Sequence, residues 1–433
     1  MTRGGRGGVG AGLVAAVVFA FASRAINLVA TLVIVRVCVS ALGLEQYGVL
    51  STIIAITSFF AFGDFGLGLA LMNKVAYGHA TGDPDASRRA VSVVFAVVVV
   101  LTLLLLTLAL GAYLLAHEAG LVACGREPCL SRSAVLAILA LAILNVPFSL
   151  PVRVLYGLQR TILGQTWLTA GRLLTIGAVL ATSHVAPTPE ALGIAIVAAP
   201  LLLSIGGTLW FFLVSRPDLR PRRADVDRRG ALLELRSGGG LAVLQALTYL
   251  DLGFDAVIVI AFFGAAEAGA VDLVAKLFMY IPALISVALA PLWPALAAAH
   301  AGGEEARSRR ILAACYGLVA SASTAGALLL AVFIRPAASL LLGVEIAPDP
   351  VLVWSLAAWG VLVSLASVQS VALNARDVVY AQLPSAVAFA VLVVALKIGF
   401  AAAGYLPGVA LALAIVYPAR LLLVHFTVTR RVA

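Results

Sequence analysis

Two stretches of this chain, Val91–Ala116 and Ala191–Val214, run without a single charged side chain. Each is longer than the roughly 20 apolar residues that carry a helix across a bilayer. In hydrocarbon every backbone N–H and C=O must be satisfied within the protein, so a spanning segment is either a helix or a strand of a closed barrel. Barrel strands are short and alternate apolar with polar residues, and these runs do neither. Of the 433 residues, 63% are hydrophobic and 11% charged, with a mean hydropathy of +1.10. A soluble domain is about a quarter charged, so the chain is expected to be an all-α integral membrane protein.

The polar breaks predict about twelve spanning helices, at 9–40, 47–72, 90–116, 133–157, 163–183, 191–215, 238–263, 269–299, 311–333, 351–373, 382–403 and 405–429. Ala20-Phe21-Ala22 resembles a signal-peptide cleavage site, but the apolar run continues through Val39, too far for a removed leader, so the segment is expected to stay. An even helix number puts both termini on one side. With the termini inside, nineteen Lys and Arg fall in cytoplasmic segments and three, Arg126, Arg132 and Arg335, in outside loops. That bias predicts cytoplasmic termini. It also accounts for the net charge of +9 without a nucleic-acid partner.

Cys124 and Cys129 share an outside loop. An oxidising compartment there allows a disulfide, and a pair of free thiols is the alternative. Two ligands do not complete a zinc site. Gly4–Gly12 is glycine-rich but lacks the Lys-Ser/Thr of a phosphate-binding loop. No cofactor, metal or catalytic residue is expected.

A polar, Arg-rich stretch at 216–237 divides an N-terminal six-helix lobe, 1–215, from a C-terminal one, 238–433. The lobes repeat. Gly48 opening the second helix matches Gly269 opening the eighth, and the acidic-then-Arg turn ending at Arg89 matches the one ending at Arg310, both at an offset of 221. Six helices per copy makes the repeats parallel, an arrangement that secondary transporters use around a central cavity.

Charges inside spanning helices cost roughly 2.5–3.5 kcal/mol at mid-bilayer, so they face a cavity or each other. The deep ones are Arg24, Asp64, Arg172, Asp251, Asp255, Lys397 and Arg420. Arg24, Asn27 and Thr31 form one stripe on the first helix, and the offset maps the first two onto Gln245 and Thr248. Asp251 and Asp255 continue that second stripe, either as charge balance for Arg24 or Arg172 or as ion-coupling carboxylates. Asp272 and Lys276, four apart, predict their own salt bridge. Arg36 and Arg153 lie near helix ends, where snorkelling suffices. Pro282, Pro291 and Pro294 would bend the eighth helix, as a gate or as a static kink.

Several motifs together resemble the polysaccharide flippases of the multidrug/oligosaccharidyl-lipid/polysaccharide exporter superfamily. They are Arg36 followed by Leu42-Gly43-Leu44-Glu45-Gln46-Tyr47-Gly48, then Asp64-Phe65-Gly66-Leu67-Gly68, the turn at 83–89, and Asp255 before an apolar run, Gly264 and Gly269. Two features depart from related patterns. Gly269-Ala270-Val271 stands where the family usually has a tyrosine after the glycine, and the first helix carries Arg24 where proton-coupled drug exporters carry an acid.

The resemblance implies a membrane flippase, not an enzyme, moving an undecaprenyl-diphosphate-linked oligosaccharide to the outer leaflet of a bacterial inner membrane by alternating access. Arg24, Asn27, Arg172, Lys397 and Arg420 would line its cavity. Its partners would be that lipid-linked glycan, membrane lipids and a polysaccharide polymerase or other assembly proteins. Two alternatives stay open. One is an ion-coupled exporter of small molecules that uses Asp251 or Asp255. The other is a membrane-embedded glycosyltransferase or ligase, for which the outside loops offer only Glu118, Glu127, Glu345 and Asp349. Glycan contacts would fall to polar and aromatic side chains such as Tyr249, Tyr280, Trp293, Gln369 and Asn374.

Overall fold

A computed structural model describes residues 6–60, 64, 66–119, 130–249, 253–289, 292, 296, 304–374 and 383–424. Asp251, Pro291, Pro294, Trp293, Cys124 and Cys129 lie outside these residues, as do the side chains of Gln245, Thr248 and Asn374. The described chain is helical throughout, with no strand among the described residues. Nine of its helices are long and apolar enough to cross a membrane. The protein is an all-α, multi-pass membrane protein.

We number the helices α1 (Arg6–Phe59), α2 (Leu67–Thr81), α3 (Pro84–Glu118), α4 (Arg132–Gly157), α5 (Thr161–Val185), α6 (Pro189–Trp210) and α7 (Arg228–Tyr249). There follow α8 (Asp255–Phe263), α9 (Ala265–Ala288), α10 (Glu305–Val332), α11 (Ile334–Leu342), α12 (Pro350–Asn374), α13 (Leu383–Ala402) and α14 (Gly408–Val424). Local chemistry sets their ends. α3 starts with Pro84, which needs no N–H partner, behind Asp83, whose carboxylate accepts the Ala86 N–H at 2.8 Å. α6 repeats the device with Pro189 behind Thr188, whose hydroxyl accepts from the Ala191 N–H at 3.2 Å.

The predicted break between the first two helices falls at Gly43, whose φ and ψ are non-helical within α1, and one boundary moves: the predicted second helix breaks again near Asp64. There the Asp64 carboxylate accepts the Gly66 N–H at 3.1 Å, and Gly66 turns left-handed ahead of α2. Asp64 is a single charge within an apolar run, which averaged hydropathy passes over, so this second break is not predicted. The predicted seventh helix likewise divides into α7 and α8, and α7 begins inside the Arg-rich stretch.

By internal packing the chain forms two compact units. The first is Met1–Ala41 with Thr57–Ala242, and the second is Leu42–Ile56 with Val243–Ala433. The core of the first unit joins Leu67 and Leu71 of α2, Val91, Val94 and Val98 of α3, Leu150 and Val154 of α4, and Phe211, Phe212 and Leu219. Leu219 belongs to the Arg-rich stretch, so that segment is packed rather than loose. Asp225 in the same stretch takes Arg88 of α3 at 3.1 Å, and buried Glu234 of α7 pairs with Lys74 of α2. Val100, Leu103, Leu104 and Leu108 on α3 stay exposed, an apolar face of the kind that meets lipid.

Inside the second unit, segment 42–56 crosses α9 through glycines. A side chain on Gly48 would overlap the backbone of Ala265 and Gly269, and one on Gly269 would overlap Leu44 and Gly48. The offset of 221 exchanges these two contacts, Gly48 with Gly269 and Leu44 with Ala265. The bends before each helix obey the same register, Gly43 at φ 75° and ψ 175° and Gly264 at φ 104° and ψ 175°. Only glycine adopts these angles without strain. The repeat read from charged turns is therefore also a repeat of backbone geometry.

Candidate functional site: charged residues of the two units

In the first unit α1 and α5 meet along a polar seam. Buried Ser23 shares a hydrogen bond with buried Thr169, and its hydroxyl reaches Gln165 at 3.5 Å. The Asn27 amide donates to the Ser23 carbonyl at 2.7 Å and to the Thr169 hydroxyl at 3.4 Å. Thr31 donates to the Asn27 carbonyl at 2.9 Å. Asn27, expected as a cavity ligand, thus directs its amide into the seam.

Arg24 follows Ser23 on α1, and Arg172 lies three residues past Thr169 on α5; both arginines are exposed. The seam places neighbouring helices at the level of both. Ser23, Gln165 and Thr169 were missed in the sequence, although Gln165, Thr169 and Arg172 follow i, i+4, i+7, the spacing that flagged Arg24, Asn27 and Thr31.

Asp64 is 6% exposed and sits against Arg153 of α4. Gly68 makes room for the two, since a Cβ there would lie 2.4 Å from the Asp64 carboxylate and 3.1 Å from Arg153 Cγ. Arg153 therefore has an acidic neighbour beyond the snorkelling its position suggested.

In the second unit one ion pair is sealed. Lys397 of α13 is 0% exposed and forms an ion pair with Asp255, the first residue of α8 and 5% exposed. Arg420 of α14 lies over the rings of Phe389, 4.7 Å from the centroid, and Tyr417, at 5.5 Å. Those rings meet edge to face at 4.8 Å.

The Asp272–Lys276 salt bridge forms, and the Tyr47 hydroxyl donates to Asp272 at 2.6 Å. Tyr249 donates to the Ala55 carbonyl and Gln369 to the Leu421 carbonyl at 3.3 Å, so both bond backbone. Pro282 lies within α9.

The likenesses of the chain agree on one architecture. A family model described as "Polysaccharide biosynthesis protein" matches residues 11–300. No match was found among curated proteins. Among solved structures, an inward-facing multidrug resistance MATE family transporter of the MOP superfamily is 16% identical, with TM-score 0.75 and 92% of each chain covered. A MATE protein in complex with MaL6 is 15% identical, with TM-score 0.68 and 94% of each covered. A MOP superfamily transporter from Pyrococcus furiosus is 14% identical, with TM-score 0.68 and 95% of each covered. At these identities the likeness is one of fold.

Proposed function

The chain belongs to the polysaccharide biosynthesis protein family, and from that premise we propose that it is a flippase for an undecaprenyl-diphosphate-linked oligosaccharide. It acts by alternating access of two six-helix lobes about a central cavity, in a bacterial inner membrane, with both termini cytoplasmic. Its cargo passes on to surface-polysaccharide assembly proteins such as a polymerase.

The observation that carries this reading is the α1–α5 seam. Its hydroxyl and amide groups satisfy one another, and they leave Arg24 and Arg172 exposed on adjacent helices. Two guanidinium groups offer bidentate donors to a diphosphate. Arg420, held on Phe389 and Tyr417, is the second unit's contribution. Lys397 and Asp255 neutralise each other within the fold, a role that favours charge balance over ion coupling for this acid.

The likeness to multidrug MATE structures supports a second reading, an ion-coupled small-molecule exporter, as strongly at the level of fold. One experiment separates them. In the host lacking this gene, polyprenyl-diphosphate-linked oligosaccharide is quantified and assigned to a leaflet. Accumulation on the cytoplasmic leaflet with loss of surface polymer supports the flippase. Unchanged lipid-linked sugar with altered drug efflux selects the exporter.

A further inference from the structure

The Arg-rich stretch between α6 and α7 does more than mark topology. After α6 the chain makes a turn of π-helix, Phe211–Ser215, then two short 3-10 turns, Pro217–Leu219 and Arg223–Asp225. Three anchors fasten it to the first unit. Leu219 is fully buried beside Phe211 and Phe212, the Arg222 N–H donates to the Ser92 hydroxyl at 3.0 Å, and Asp225 holds Arg88.

So fastened, its basic residues differ in their surroundings. Arg216 is engaged by Asp218, with two bonds between 2.6 and 2.9 Å. Arg220 and Arg222 are exposed, and no carboxylate among the described residues forms an ion pair with either. Both line a cavity of about 430 Å³ with Phe212, Leu213, Pro217 and Pro221. Pro221 stands between the two arginines and fixes the backbone angle there.

The cavity opens beside an apolar strip. Leu209, Trp210, Leu213 and Val214 at the end of α6 are 54%, 44%, 53% and 68% exposed. Tryptophan is the side chain that favours the boundary between acyl chains and headgroups. A lipid-facing strip that runs from Leu209 and Trp210 through Leu213 and Val214 and then into two arginines has the polarity of a phospholipid, acyl chain first and phosphate next.

We propose that this cavity binds an anionic phospholipid of the cytoplasmic leaflet, its phosphate between Arg220 and Arg222 and its acyl chains along Leu213 and Val214. Bias of basic residues toward the cytoplasm explains why arginines are here. It does not explain a concave site that gathers two of them, without acids, over aromatic and aliphatic side chains. The volume accommodates a glycerophosphate headgroup between the two arginines. The lipid would cover the arginines and fasten the stretch joining α6 to α7 to the membrane surface. The inference stands whether the cargo is a glycolipid or a drug.

The test uses the purified, delipidated full-length protein in neutral detergent, with lipid binding read by native mass spectrometry and by thermal melting. Phosphatidylglycerol is titrated against the wild type, against Arg220→Gln/Arg222→Gln, and against Arg228→Gln/Arg229→Gln, which removes two linker charges outside the cavity. At about fivefold per surface arginine, the first variant should bind about 25-fold more weakly. The second should match the wild type. Arg220→Lys, which keeps the charge, should recover most of the affinity lost in Arg220→Gln.

Equal weakening in both double variants would reduce the effect to general surface charge and overturn the site, as would no weakening in either. Inorganic phosphate competing as well as the lipid would leave only a headgroup-sized anion site. Displacement of phosphatidylglycerol by a polyprenyl diphosphate at lower concentration would reassign the cavity to the cargo. Either result would overturn the phospholipid assignment.

Discussion

The α1–α5 seam of the first unit and the α8–α13 pairing of the second handle charge in opposite ways. Both lie in helices that are almost entirely apolar. At the seam Ser23, Asn27 and Thr169 bond each other and Arg24 and Arg172 remain exposed. At the pairing Lys397 meets Asp255 and neither reaches the surface. A buried charge is tolerated when its counter-charge is buried with it. At the seam the described hydrogen bonds join neutral groups, and both arginines keep exposed surface. An intramembrane charge is therefore informative about cargo only after its partner is known.

The sharpest way to break this contrast is to remove the exposed charges. Arg24→Ala and Arg172→Ala are each expected to lower transport by about 30-fold or more, the cost of truncating one half of a charged hydrogen-bonded contact. Membrane insertion and melting temperature should stay near wild type. Surface polymer and leaflet-resolved glycolipid report the loss. Normal export by Arg24→Ala would remove the diphosphate reading of the seam.

Next in size, Lys397→Met should destabilise the second unit by about 3 kcal/mol, because Asp255 is left as an unpaired buried charge. Lys397→Met/Asp255→Leu should recover most of that loss in a detergent melting assay. Recovery of stability and transport together makes the pair structural. Recovery of stability alone makes Asp255 a coupling group and moves the protein toward the exporter reading.

The repeat supplies a smaller, symmetric test. Gly48→Ala and Gly269→Ala should each cost about 1–3 kcal/mol by overpacking the crossing of segment 42–56 with α9. A Cβ on Gly48 would lie 1.8 Å from the Ala265 carbonyl oxygen and one on Gly269 2.6 Å from that of Leu44, so Gly48→Ala should cost the more of the two in a detergent melting assay. Equal losses would show that the crossing relaxes to the same spacing on both sides.

The smallest expected effect lies in the linker. The Arg216 hydrogen bond, opposed by partial burial, holds the Asp218 carboxyl below the usual carboxylate range. A group whose folded pKa is depressed stabilises the fold above its unfolded pKa and loses that contribution as pH falls through the folded value. Asp218 is about half exposed, so the contribution is at most roughly 0.5 kcal/mol. Asp218→Asn should therefore lower the melting temperature slightly at neutral pH and not at all below pH 3, in melts across that range.

Much of this molecule was legible beforehand because its signals are local. An apolar run without charge specifies a spanning helix whatever surrounds it, and the lengths of α3 and α6 follow from that alone. Repetition was legible too, since Gly48 and Gly269 stand at one offset with their flanking turns. The polar break around Gly43 was legible as well, but the break at Asp64 was not, because one side-chain-capped turn inside an apolar run changes averaged hydropathy little. Leu219 shows the same limit: one apolar residue in an Arg-rich stretch gives no sign that it is buried against Phe211 and Phe212.

The sequence by itself determined that the chain lives in a bilayer, that it is helical, and that its second half echoes its first. Those are consequences of apolar length, of backbone hydrogen bonding without water, and of spacing along one chain. Only the tertiary structure decided which intramembrane charges are buried and that Asp255 and Lys397 meet. Asp255 and Lys397 are 142 positions apart, and no periodicity links them; their neutrality arises from two helices packing side by side. Arg24 and Arg172 share the same composition and the same apolar background. That both are exposed beside a seam of hydroxyl and amide groups is likewise set by how α1 and α5 pack.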